Sequence, residues 1–195
     1  MILSDDQIKS RVAVGNLIED FIPEHKQDAP DEPYYGLGKN SYTVRLSNQF
    51  LFWNLIKAEP PAVLPANVKP NGPEFARYMQ QKQSEANILK PSSKVPEGHL
   101  VGQETDEICI TPQGHVLAIT IEKINVPPNL CAMITTAGEA AFVGIDVATS
   151  WLYSPYSNQL TLRIANNGQK MIVLNKGMGI ANIVFMDCTP AGIPV

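Results

Sequence analysis

Residues 115–126, HVLAITIEKINV, decide the fold. Val116, Ala118, Thr120 and Glu122 fall on one face of an extended chain, and Leu117, Ile119, Ile121 and Lys123 on the other. That period of two belongs to a strand, not to a helix. Similar short runs recur on both sides: EICITP (107–112), LCAMITT (130–136), FVGIDVAT (142–149), NQLTLRIANN (158–167), KMIVLN (170–175) and IANIVFMD (180–187). Gly, Pro or Asn separates them, and such a succession predicts an all-β barrel or sandwich rather than βαβ units. Asn167-Gly168 predicts a tight hairpin joining LTLRIAN to KMIVL, and Asn175 with Gly177 predicts a further turn. GMGIAN (177–182) follows one strand and leads into another, so it reads as a turn and not as a phosphate loop.

Upstream, Ser4 followed by two acidic residues predicts a capped helix from Asp5 to about Val14, stopped at Gly15. Residues 20–40 are rich in Pro, Asp and Gly and read as loop. The stretch 41–56, SYTVRLSNQFLFWNLI, reads as a strand, with Val44, Leu46, Phe50, Phe52 and Leu55 as candidates for burial. Residues 60–99 change character and predict an excursion with a small helix over 75–89, where Phe75, Tyr78 and Met79 share helical spacing. The expected organisation is one domain over 1–195 with a divergent insert at 57–106.

At 195 residues and 44% apolar side chains, the chain can bury a core without staples. The net charge of -4 and the presence of only four arginines leave no basic run to neutralise a nucleic-acid backbone, so DNA and RNA binding are not expected. Cys109, Cys131 and Cys188 each lie in an apolar run and read as buried free thiols. The opening MILSDDQIKS has no secretory apolar stretch and no run reaches membrane-spanning length, so a soluble cytoplasmic protein is expected.

Little of the barrel half carries chemistry. His25, His99 and His115 are far apart and form no metal-binding pattern, so no metal ligands are assigned and no cofactor is required. Glu122 alternates with core residues and is either a buried, paired carboxylate or a surface one. Asp146 lies among hydrophobics and needs backbone donors or a function. Arg163, between Leu162 and Ile164, must reach solvent, an anion or a carboxylate.

MILSDDQI, VRLSNQF (44–50), TPQGHVLAITIEKINVPPNL (111–130), NQLTLRIANNG (158–168) and LNKGMGIANIVF (174–185) together resemble the dCTP deaminase and trimeric dUTPase superfamily, on its deaminase-like branch. The resemblance implies a distorted dUTPase-like β-barrel or jelly roll, all-β apart from the short N-terminal helix and the helical insert. It also implies a homotrimer with a pyrimidine deoxynucleotide in each interface cleft, and Mg²⁺ accompanying the triphosphate if the protein is active.

The working residues of that family are replaced. Its glycine–arginine–serine–serine segment falls on Thr136, Ala137, Gly138 and Glu139, and its following arginine on Phe142. Its acidic loop becomes Leu152, Tyr153, Ser154, Pro155 and Tyr156, and its strand glutamate becomes Arg163. TPAGIPV (189–195) offers no arginine or lysine of the kind found in the family's C-terminal arm. The expectation is a deaminase-like protein that has lost nucleotide deamination and hydrolysis and serves as a binding, regulatory or structural trimer. The alternative is an active dCTP deaminase or dUTP diphosphatase working through Glu122, Glu139 or Asp146. Thr43, Arg45 and Arg163 are the candidate ligand contacts.

Overall fold

The computed structural model describes residues 1–28, 30, 33–53 and 100–188. The chain forms two compact units, Met1–Phe52 with Gly102–Val195, and Trp53–Val101. Leu55, Phe75, Tyr78, Met79, the predicted small helix and the tail 189–195 lie outside the described residues.

Helix α1 (Asp5–Gly15) starts as its capping residues dictate. Ser4 accepts from the Gln7 amide, and the Gln7 side chain accepts from the Ser4 amide. Replacing Ser4 by Ala is therefore expected to cost about 1 kcal/mol, measured by urea unfolding. The helix ends one residue later than the sequence suggested. Gly15 is helical, and Asn16 takes the left-handed stop at φ 51° and returns its amide to the Val12 carbonyl.

The rest is a curled antiparallel sheet. In chain order the strands are β1 (Ile18–Glu19), β2 (His25–Lys26), β3 (Tyr35–Leu37), β4 (Tyr42–Trp53), β5 (Leu100–Glu104), β6 (Glu107–Ile110), β7 (His115–Val126) and β8 (Leu130–Thr136). A short helix α2 (Gly138–Phe142) precedes β9 (Ile145–Val147), β10 (Ser150–Leu152), β11 (Tyr156–Asn166), β12 (Ile172–Asn175) and β13 (Gly179–Asp187). The main sheet runs β10-β8-β13-β4-β7-β11-β9, while β12 and β6 form a separate pair. The all-β expectation holds. The region 20–40 is not pure loop, because β2 and β3 form a small hairpin there.

The face of β7 that carries Thr120 and Glu122 is the buried one. Val116, Ala118, Ile124 and Val126 join Tyr42, Val44, Leu46, Phe50, Leu130, Ile164, Ile183 and Phe185 in a single core. Thr120 is tolerated inside because its hydroxyl is satisfied twice. It donates to the Glu122 carbonyl at 2.8 Å and accepts from the Leu160 amide at 2.9 Å, where β11 shifts register between Gln159 and Thr161.

β4 changes partner along its length. Tyr42 to Arg45 pair with β13, and from Leu46 onward the strand pairs with β7. Ser47 accepts from the Gln49 amide within the irregular stretch between Leu46 and Phe50.

The predicted hairpin at Asn167-Gly168 is not formed. A turn is present, but β12 pairs with β6 instead of returning along β11. The buried Asn166 side chain sets this course, donating to the Ile110 and Lys170 carbonyls and accepting from the Gly168 amide. The turn at Asn175 and Gly177 is as expected, with the Met178 amide on the Asn175 carbonyl and Gly177 at φ 86°. GMGIAN is likewise turn leading into strand.

None of the cysteines is a fully buried thiol: Cys109 is exposed, and Cys131 and Cys188 are partly buried. Alternation is the cause, since Ile108 and Ile110 take the inward places beside Cys109, and Leu130 and Ala132 those beside Cys131.

Candidate functional site

A cavity of about 450 Å³ opens where β8 ends and α2 begins. Its floor is Thr43 of β4 and Asn182 of β13, neighbours in register whose side chains are bonded at 2.6 Å. Ala137, Gly138, Glu139 and Phe142 form one wall. His25, Tyr34, Lys39 and Ser41, from the β2–β3 hairpin and the turn before β4, form the other. A second hollow of about 530 Å³ adjoins it and shares Tyr34, Glu139 and Phe142.

The walls are held by specific contacts. The Ala137 amide donates to the Ile180 carbonyl, and Ala140 turns into the core, which anchors α2. Glu139 reaches across the cavity and accepts from the Tyr34 amide at 2.9 Å through Oε2. Tyr34 stacks on His25 with ring centroids 4.7 Å apart. Phe142 stands at the rim, 93% exposed.

Of the six candidates, the structure brings only Thr43 and Glu139 into this cavity. Glu122 is fully buried beneath β4, the paired alternative of the two open to it. Its Oε1 receives the Arg45 Nε at 2.7 Å and the Tyr42 hydroxyl at 3.2 Å, and its Oε2 receives the Arg45 amide at 2.8 Å. The carboxylate thus supplies the acceptor that the Arg45 amide loses as β4 leaves β13 for β7. Burial pushes the Glu122 carboxyl up, against the downward pull of Arg45. Burial, reinforced by the Glu122 charge, also pushes the Tyr42 phenol up and keeps it a donor. Three converging donors fit an ionised carboxylate.

Arg45 is committed elsewhere as well. Its Nη2 donates to the Asp20 carbonyl at 3.0 Å, and its guanidinium lies 5.2 Å from the centre of the Tyr35 ring. It is a structural cation and does not line the cavity. Asp146 points outward between buried Ile145 and Val147, so alternation accounts for an acid amid hydrophobics. Arg163 is exposed on β11 opposite Leu117 and has no ion-pair partner among the described residues.

His25, Tyr34, Lys39, Ser41 and Asn182 were not anticipated from the sequence. Four of them sit in the Pro- and Gly-rich stretch around β2 and β3, where no periodicity marks a site. Asn182 alone left a trace, as a polar residue facing outward on an apolar strand.

The described residues lining the cavity offer hydroxyls, an amide, the nitrogens of His25 and Lys39, and one carboxylate, and none of them is an arginine. A phosphate group here would meet Lys39 but also Glu139, at the segment where donors would be needed. The donor set of the described residues suits Mg²⁺ poorly, since Glu139 is the one carboxylate among them that lines the cavity and it already holds the Tyr34 amide. No group of three or more His, Cys, Asp or Glu residues among the described residues could hold a metal ion. No helix among them is long and apolar enough to cross a membrane.

Comparison with known proteins meets this geometry. The chain is 27% identical over 197 residues to a dCTP deaminase of Halorubrum lacusprofundi, spanning 100% of this chain and 81% of that protein. It is 26% identical over 199 residues to a dUMP-forming dCTP deaminase of Methanoregula boonei, spanning 100% of this chain and 86% of the relative. Among solved structures, the 2'-deoxycytidine 5'-triphosphate deaminase of Agrobacterium tumefaciens superposes with a TM-score of 0.57 at 14% identity. That superposition covers 96% of this chain and 48% of the other, and it is a likeness of fold. The profile of dCTP deaminase-like proteins matches residues 2–188. By that match, the chain belongs to the dCTP deaminase-like family.

Proposed function

We propose that this protein is a deaminase-like scaffold that has lost dCTP deamination and dUTP hydrolysis and works as a non-catalytic binding, regulatory or structural trimer in the cytoplasm. One observation carries the proposal: among its described lining residues, the cavity at the β8–α2 junction has no arginine, and their one carboxylate is already engaged by the Tyr34 amide. Deamination needs a carboxylate to move protons between water, the ring nitrogen and the leaving ammonia. Glu122 is buried against Arg45, and Arg163 stands where the resemblance places the family's strand glutamate. An arginine there cannot serve as the base.

A second reading rests on Glu139. It lines the cavity, with only one of its oxygens bonded in the described contacts, and the relatives above carry deaminase names. An active dCTP deaminase or dUTP diphosphatase would use that carboxylate.

Incubation of the purified chain with dCTP, and separately dUTP, in the presence of Mg²⁺ distinguishes the two. Neither ammonia nor pyrophosphate is expected above the no-protein control. Turnover that disappears in Glu139→Gln would overturn the non-catalytic reading. Saturable binding of dCTP or dUTP without turnover would support a nucleotide-responsive role for the same cavity.

A further inference from the structure

Three sulfur-bearing side chains share one outward face where β8 meets β13, toward the Leu130–Asp187 end of the pair and away from the cavity at its Thr136 end. Cys131 lies directly opposite Met186 in the antiparallel register. Cys188 follows two residues later, its amide bonded to the Asn129 carbonyl at 2.9 Å. Period-two alternation sets all three on the same side, and each is partly exposed, while Leu130, Ala132 and Phe185 turn into the core. Cys188 therefore stands diagonal to Cys131 across the pair, its amide meeting a residue two places before that cysteine. The Cys188 thiol approaches the Met186 carbonyl at 3.8 Å.

The chemistry of this cluster is soft. Asp187, between Met186 and Cys188, is paired with Arg11 at 2.7 Å. A disulfide suits the place poorly. Diagonal neighbours in an antiparallel pair stand about 7–8 Å apart at Cα, and bridging beyond about 7 Å requires the backbone to move. A metal ion held between the sulfurs lengthens the link by two metal–sulfur bonds of about 2.3 Å each, the zinc–thiolate value. Thiolate and thioether ligands together select Cu(I) over Zn²⁺, which favours four nitrogen or thiolate donors, and over Mg²⁺, which needs oxygens.

We propose that Cys131, Cys188 and Met186 form a binding site for a soft monovalent cation, Cu(I), at the outer face of the β8–β13 pair. Binding exchanges the two thiol protons for the ion and involves no change of oxidation state. Met186 supplies a third, neutral ligand from across the sheet.

The test is an anaerobic titration of the reduced full chain with Cu(I), poised against a chromogenic Cu(I) chelator. One ion per chain is expected. Cys131→Ser and Cys188→Ser should each weaken binding by more than about 100-fold, beyond the 10–100-fold that loss of an outer-shell partner costs. Met186→Leu should weaken it less, and Cys109→Ser should leave it unchanged. A readout on the unaltered chain accompanies these: bound Cu(I) should protect Cys131 and Cys188, but not Cys109, from alkylation as read by peptide mass. Failure of the chain to compete with the chelator would overturn the proposal. So would equal alkylation of all three cysteines, or cysteine variants that bind as the original chain does. Recovery of a Cys131–Cys188 disulfide from a chain that binds no Cu(I) when reduced would overturn it in favour of oxidation chemistry.

Discussion

Replacing Arg45 by Met is expected to destabilise the fold by about 3–5 kcal/mol, the usual cost of removing one partner from a buried ion pair. The substitution keeps the length of the aliphatic stem but strips Glu122 of the Nε bond at 2.7 Å. Glu122 remains fully enclosed, with only the Arg45 amide and the Tyr42 hydroxyl left to it. The contact of the guanidinium with the Asp20 carbonyl and the Tyr35 ring goes too.

The pH dependence of that loss has a definite sign. Burial already pushes the Glu122 carboxyl up, and without Arg45 it rises further. A carboxyl whose folded pKa is raised contributes stability below its unfolded pKa, about 4.3 for Glu, and that contribution is lost as pH rises through the folded value. Urea unfolding should therefore find Arg45→Met closer to the unaltered protein at pH 5 than at pH 8. The paired change Arg45→Met with Glu122→Leu should recover most of the loss, because the cost lies in the stranded charge. A single Arg45→Met that unfolds as the original does at pH 8 would show that Glu122 finds its stability elsewhere.

The second large effect is expected from Gly36→Ala. Gly36 sits in β3 at φ 88°, a conformation that costs a non-glycine residue about 1–3 kcal/mol. A Cβ there would also overlap the Glu24 carbonyl oxygen, and that oxygen accepts from the Leu37 amide. The overlap is with backbone, so no side-chain rotation relieves it. The β2–β3 hairpin should open, carrying His25 and Tyr34 away from the cavity and breaking the Tyr34–Glu139 bond. Hydrogen exchange at Leu37 should accelerate, and the melting temperature should fall by more than positive-φ strain alone explains. An unchanged melt with a protected Leu37 amide would mean that the hairpin can shift as a body.

Several of these features were legible before any coordinates. The alternation over 115–126 marked a strand, and it singled out Thr120 and Glu122 as polar residues in company with Val116 and Ala118. It did not tell which face was inside, because Leu117, Ile119 and Ile121 are equally apolar. Glu122 stayed ambiguous for a related reason. Its partner is Arg45, brought to it only because β4 passes from β13 to β7 at that level. Asn167-Gly168 misled because turn chemistry is local, whereas the partner of β12 is β6, from another part of the chain. The cavity was half legible. Glu139 was found through its place where the family's glycine–arginine–serine–serine segment falls, but His25 rides on a strand of two residues and Tyr34 just precedes one of three. Strands that short carry no readable period.

The division of β4 between two neighbours has a mechanical meaning. A sheet whose halves meet along an ordinary strand boundary can part there, one half fraying while the other persists. Here the same run of backbone is stitched to β13 at one end and to β7 at the other, with the Arg45–Glu122 pair lying across the changeover. Neither side can peel away without drawing that thread out of both. The sheet therefore has no seam along which to open, and what protects the core on one side of Leu46 protects it on the other.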